Sequence, residues 1–241
     1  IKDLELALKG MSRENYDDPW WTPLPFSLPM PEKKIALLKK IEGLKIDPII
    51  SAELDIVAKR LEDSGWVIEE PKAPNFQEAA KFQATLWLGE FRRTGGEAIT
   101  KEKDPDSNFI YSQMSRRCPD TSLEKFMDSL QQRARISREW NKFFDQHPII
   151  LCPITGDIPF PDLKDLESEE SFDLVFDSML PQIAPPYMGL PGLSFATGQT
   201  KQKIPLGVQF ISRKFREDLL LNVGYDLENY YPKIEPVLPA F

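Results

Sequence analysis

The sequence predicts an α/β fold, with helices layered on a sheet. Three observations carry that prediction. Short apolar runs bounded by charges alternate with stretches of helical periodicity. Between Lys34 and Glu70 an apolar run, a helix and a second apolar run follow one another, which is a β-α-β order. Near its end the chain carries a Gly-Leu-Pro turn, two short strands joined by a polar hairpin, and an amphipathic helix.

Residues 1–12 place Leu4, Leu8 and Met11 at i, i+4 and i+7, one face of a short helix that needs a partner. Residues 15–31 form a proline-punctuated loop carrying Trp20 and Trp21, which either cap a substrate entrance or, the favoured reading, pack the loop down. Lys34–Leu38 reads as a buried strand. Asp47 is the expected N-cap of a helix with Pro48 in its first position, and Ile50, Leu54, Val57 and Leu61 form its inner face. Ser64 and Gly65 stop it, and WVIEE follows as a strand. Residues 76–93 are helical up to Gly95 and Gly96. The longest helix runs from Asp120 to Phe144, with Leu123, Phe126, Met127, Leu130, Ala134, Ser137 and Trp140 along one side, and Trp140 and Phe144 in the core. It leads through His147-Pro148 into the strand IILCPIT. The acidic stretch 162–173 reads as a solvated surface insertion. The 22 prolines cluster at 19–31, 148–161 and 181–191, where they mark extended loops and strand ends.

Composition narrows the function. With 241 residues, 41% hydrophobic and 28% charged, the chain suits one globular domain with a sizeable core. A net charge of −8 without any Lys/Arg-rich run argues against a nucleic-acid surface. No apolar stretch reaches membrane-spanning length, and IKDLELALKG does not resemble a signal peptide. Cys118 and Cys152 lie far apart and outside any metal-type spacing, which favours reduced thiols in the cytoplasm. His147 is the sole histidine, set between a helix end and a proline, where a capping or surface role is expected rather than catalysis. No three-histidine, EF-hand or HExxH pattern occurs, so neither a metal nor another cofactor is expected. Glu69-Glu70 and Glu169-Glu170 read as surface charge, not as a glycosidase pair.

Several segments, taken in their order and spacing, resemble the amidase signature family, the Ser-cisSer-Lys amide hydrolases. They are Ile1, Asp3 and Leu4 at the start, DPWWTPLPF, DSGWVIEE, FQATLWLGEFR, REWNKFFDQHPIILCPITG, PPYMGLPGLSFATG and the closing strand-turn-helix. The resemblance runs from Ile1 to about Tyr231. It implies an α/β/α sandwich around a mixed central sheet, with residues 1–241 forming the C-terminal portion of a single amidase domain. It also implies that the catalytic serine, cis-serine and lysine, with their glycine-rich loop, lie upstream of Ile1. No such run occurs in this sequence, and no catalytic residue is assigned. Ile1 is accordingly expected not to be a natural start.

By the same resemblance the end of IILCPITG lines the acyl side of the pocket, so Cys152, Ile154 and Thr155 are assigned as wall residues, with core packing the competing reading for Cys152. Tyr187, ahead of the GLPG turn, is assigned to the pocket too, against a core or interface role. The expected function is part of an amide hydrolase for a small carboxamide, inactive alone and exposing apolar surface where its sheet should continue. Its expected partner is the N-terminal catalytic portion, covalent or separate; a homodimer stays open. The alternatives are the non-catalytic half of a split or processed amidase acting as a binding or assembly partner, and an amidotransferase A-type subunit.

Overall fold

The apolar run after the proline loop becomes β1 (Lys34–Leu37), and Asp47-Pro48 opens α2 (Pro48–Asp63) as its spacing requires: the Asp47 carboxylate accepts from the Ile49 amide at 2.7 Å. This is a computed structural model, and it describes residues 1–231. Ahead of β1 lies α1 (Lys2–Met11); beyond α2 come β2 (Val67–Glu69) and α3 (Phe76–Thr94). Next are α4 (Gly96–Glu102), α5 (Pro105–Arg117), α6 (Leu123–Gln146) and β3 (Ile149–Pro153). The chain continues through α7 (Glu169–Ser178), α8 (Leu180–Met188), β4 (Gly192–Gln199), β5 (Pro205–Ser212) and α9 (Glu217–Glu228).

The strands form one five-stranded sheet in the order β2-β1-β3-β5-β4. It is mixed: β1 runs parallel to β2 and β3, while β5 is antiparallel to β3 and β4. Alternation along each strand divides the core in two. Ile35, Leu37, Ile149, Leu151, Val208 and Phe210 face α2 and α9, whose Leu54, Val57, Leu220 and Val223 cover them. Ala36, Ile150, Cys152 and Ile211 face the other way, under Phe76 of α3, Trp140 of α6 and Tyr187 of α8. This is the α/β/α layering around a mixed sheet that the resemblance implies.

Four expectations need correction. The long helix buries only part of the face given above. Trp140 turns inward, with Ser129, Ile136 and Phe144, while Leu123, Met127 and Leu130 are exposed, because the buried apolar residues of α6 that join the sheet's core all fall in its C-terminal half. The region after Gly95-Gly96 holds α4 and α5. The second is opened by Asp104-Pro105, the same signature as Asp47-Pro48, with Asp104 accepting from the Ser107 amide at 2.7 Å. The acidic insertion becomes helical at Glu169, because Ser168 caps it and Phe172, four residues before Phe176, is buried.

The proline cluster 181–191 is mostly helix, not extended chain. Pro181 sits in the first turn, where no amide is needed. Pro185 can give no hydrogen bond to the Pro181 carbonyl four residues back; the buried Gln209 amide donates to that carbonyl instead, at 3.0 Å. Gly189 ends α8 at φ +66°, a left-handed cap suited to glycine.

His147 caps the C-terminus of α6, as expected, but is buried rather than at the surface. Its Nε2 lies 2.8 Å from the Glu69 carboxylate, which also meets Lys34 at 3.0 Å. Lys34 first and His147 second hold Glu69 below the ordinary carboxylate range. Of the two tryptophans, Trp21 ties the loop down by donating Nε1–H to the Ser12 carbonyl at 3.2 Å, whereas Trp20 is 86% exposed. Among the described residues no helix is long and apolar enough to cross a membrane, and no group of three or more His, Cys, Asp or Glu side chains converges as a metal site.

Candidate substrate cavity

In open α/β sheets, ligands settle beyond the carboxyl ends of the parallel strands. On the helical layer that covers one face of the sheet, α3, α6, α7 and α8, with Arg117 at the end of α5 and the connection to α6, line a half-open cavity of about 1010 Å³ that the loop after β1 reaches at Gly43. Its apolar wall comes from Phe82 and Ala84 of α3, Phe176 of α7, and Leu180 and Ile183 of α8. Its rim is charged. Arg117 and Asp177 form one ion pair there, and Glu78 is paired with Arg135 of α6. Lys81, Lys125, Asp120 and Asp128 complete the rim. A second cavity, of about 580 Å³, lies past the carboxyl ends of β1 and β2, lined by Lys39, Lys40 and Ile41 after the first and by Lys72 and Ala73 after the second.

The arrangement suits an apolar group held against two aromatic rings, with a polar end directed to the charged mouth. It offers no nucleophile–base pair. Cys118 lines the cavity, but its nearest polar neighbour is the Thr85 hydroxyl, at 3.9 Å.

The four residues singled out from the sequence fall in different places. Cys152 is fully buried in β3, 3.9 Å from the Gln209 amide, and burial pushes its thiol up to about 12. It presents no surface to a ligand. Tyr187 is also buried, one layer behind the cavity wall. Its ring stacks on Phe82 at 5.7 Å between centroids, and its hydroxyl donates to the Ser129 carbonyl. Burial raises its phenol. Tyr187 therefore orients two wall residues without touching the cavity.

Ile154 and Thr155 directly follow β3, both half-buried, and neither is among the residues lining the cavity. The Ile154 carbonyl accepts from Gln182 at 3.2 Å, and the Thr155 hydroxyl donates to the Asp157 carbonyl at 2.7 Å. Gly156 follows, its amide donating to the Ser178 carbonyl and its carbonyl accepting from the Asp47 amide, both at 2.8 Å. This strand end thus braces the α7–α8 junction, next to Phe176 and Leu180.

Sequence reasoning missed Phe82, Ala84, Phe176, Ile183 and Arg117. Phe172 and Phe176, four residues apart inside an acidic stretch, were the one local signal. The others gain meaning only when four helices converge.

A family model described as Amidase matches residues 1–221. The indoleacetamide hydrolase of Bradyrhizobium diazoefficiens is 28% identical over 232 residues, 95% of this chain and 44% of that protein. A glutamyl-tRNA(Gln) amidotransferase chain of Desulforapulum autotrophicum is 26% identical over 86% of this chain and 46% of its own length. Among solved structures, 6-aminohexanoate cyclic dimer hydrolase superposes with a TM-score of 0.77 at 16% identity, covering 96% of this chain and 53% of that one, a likeness of fold alone. The chain spans about half the length of the curated relatives it matches.

Proposed function

Because this chain belongs to the amidase family, we propose that it forms the substrate-shaping portion of an amide hydrolase acting on a small carboxamide. The observation that carries the reading is the family match over residues 1–221. The larger cavity is the acyl pocket, and an arylacetamide is the substrate class. Two relatives bear the name indoleacetamide hydrolase, and the Phe82 and Phe176 rings among the lining residues suit a flat ring. Ile154 and Thr155 shape the acyl side indirectly, through the α7–α8 junction that this strand end braces. Cys152 and Tyr187 support it from behind.

The nucleophile, its base and the oxyanion donors belong to the portion of the relatives that this chain does not span. That portion is the proposed partner. Its place is the sheet edge at β4, which among the described residues is hydrogen-bonded on one side only, to β5. The exposed Leu4, Leu6 and Met11 of α1 add apolar surface for the same contact. Unbonded Cys118 and Cys152 accord with a reducing compartment such as the cytoplasm.

Residues 1–241 alone are expected to turn over no indole-3-acetamide above background, and to do so once supplied with the Gly/Ser-rich portion. Activity of the chain alone would end this reading. In the complete protein, Ala84→Trp is expected to lower kcat/KM for arylacetamides by about 10- to 200-fold, with acetamide far less affected. An unchanged acyl series would show that the cavity is not the acyl pocket. The second reading, a component of an amidotransferase, rests on relatives aligned over less of the chain. Hydrolysis without charged transfer RNA would exclude it.

A further inference from the structure

Helices α5 and α7 meet along a seam with little apolar contact. Gln113 is the one buried residue of α5, and on α7 only Phe172 and Ser178 are buried. Charge holds the seam. Asp173 accepts from Arg116 at 2.5 Å and from Arg117 at 2.7 Å. Arg117 also donates to Asp177, one helical turn further on. The Arg117 guanidinium carbon lies 4.6 Å from the centroid of the Phe176 ring, which also stacks on Phe172 at 5.8 Å between centroids. Arg117, Phe176 and Asp177 all line the cavity.

One planar guanidinium therefore grips both carboxylates and also lies over the Phe176 ring. Lysine cannot do this, because its ammonium is a point charge without a fork or a plane. We propose that Arg117 is a positioning residue that sets acyl-group selectivity by holding Phe176 in place as the cavity's outer wall. The inference rests on the cavity being the acyl pocket. Arg116 shares Asp173 but is not among the residues lining the cavity, so the two arginines are separable.

The test is an acyl-size series, from acetamide through phenylacetamide and indole-3-acetamide to 1-naphthylacetamide, on the complete protein. Arg117→Lys and Arg117→Gln are expected to raise KM for indole-3-acetamide about tenfold. The rise in KM should exceed any fall in kcat, grow along the series from acetamide upward, and narrow the preference over the naphthyl compound. Phe176→Leu, which leaves the carboxylates untouched, should reproduce this pattern. Arg116→Gln should not. Equal effects from Arg116→Gln and the Arg117 variants would overturn the inference, because seam stability alone would then be at work. So would a series unaltered in both Arg117→Lys and Phe176→Leu. If Ala84→Trp narrows the series while these variants do not, the inference alone fails; if Ala84→Trp is silent as well, the acyl-pocket assignment fails with it.

Discussion

Replacing Trp140 with alanine is expected to destabilise the protein by about 3–5 kcal/mol, the range for emptying a buried aromatic site. Trp140 is among the largest fully buried side chains and stands where α3, α6 and the sheet meet. Its ring meets Phe76 edge-on at 4.7 Å between centroids and Phe144 at 6.2 Å. Neighbours cannot collapse into the space easily, because Ile150 and Ala36 are fixed in the strands below it. Domains of this kind are stable by roughly 5–15 kcal/mol, so one substitution removes a large share. Leu123→Ala, on the same helix but 77% exposed, is expected to change little. Urea unfolding of the complete protein measures both. A loss below about 1 kcal/mol for Trp140→Ala would mean that α6 does not depend on this anchor.

Trp140 also shows what a sequence can and cannot reveal. Its burial was legible, as were the inner face of α2, the β-α-β order and the family. Each is written in local periodicity, capping residues or a long ordered pattern. Leu123, Met127 and Leu130 have the same helical spacing as core residues, yet α6 overhangs the sheet there, and overhang is a tertiary property. The helix through Pro185 and Pro186 was illegible for a similar reason. It is completed by Gln209, 28 residues from the Pro181 carbonyl that it satisfies. Asp104-Pro105 was a missed local signal, since Asp47-Pro48 had already shown how such a pair opens a helix. The cavity was the least legible feature. Its wall gathers one or two residues each from α3, α7 and α8, and only Phe176, four residues after Phe172, carried a local signal. Tyr187, by contrast, was noticed for its type, and its place behind Phe82 and Ser129 could come only from the fold.

Gly156→Ala is expected to be the most damaging small substitution at the end of β3. A Cβ there would lie 2.4 Å from the Lys45 carbonyl oxygen and 2.7 Å from Leu44 Cδ1. The first of these is backbone and cannot rotate away, so the strand end itself must shift. Overpacking of this kind costs about 1–3 kcal/mol. The shift also strains both backbone hydrogen bonds of Gly156, to Ser178 and from Asp47, each worth about 1 kcal/mol. Those bonds join β3 to the α7–α8 junction and to the cap of α2, so the damage reaches the cavity wall. KM for an arylacetamide should therefore rise together with the loss of stability. Gly10→Ala is the matched control, because nothing lies within 4 Å of its added Cβ and alanine favours the helix. It is expected to be neutral or slightly stabilising. Equal melting temperatures for the two variants would show that the loop after β1 yields freely, and that the strand end does not brace the cavity.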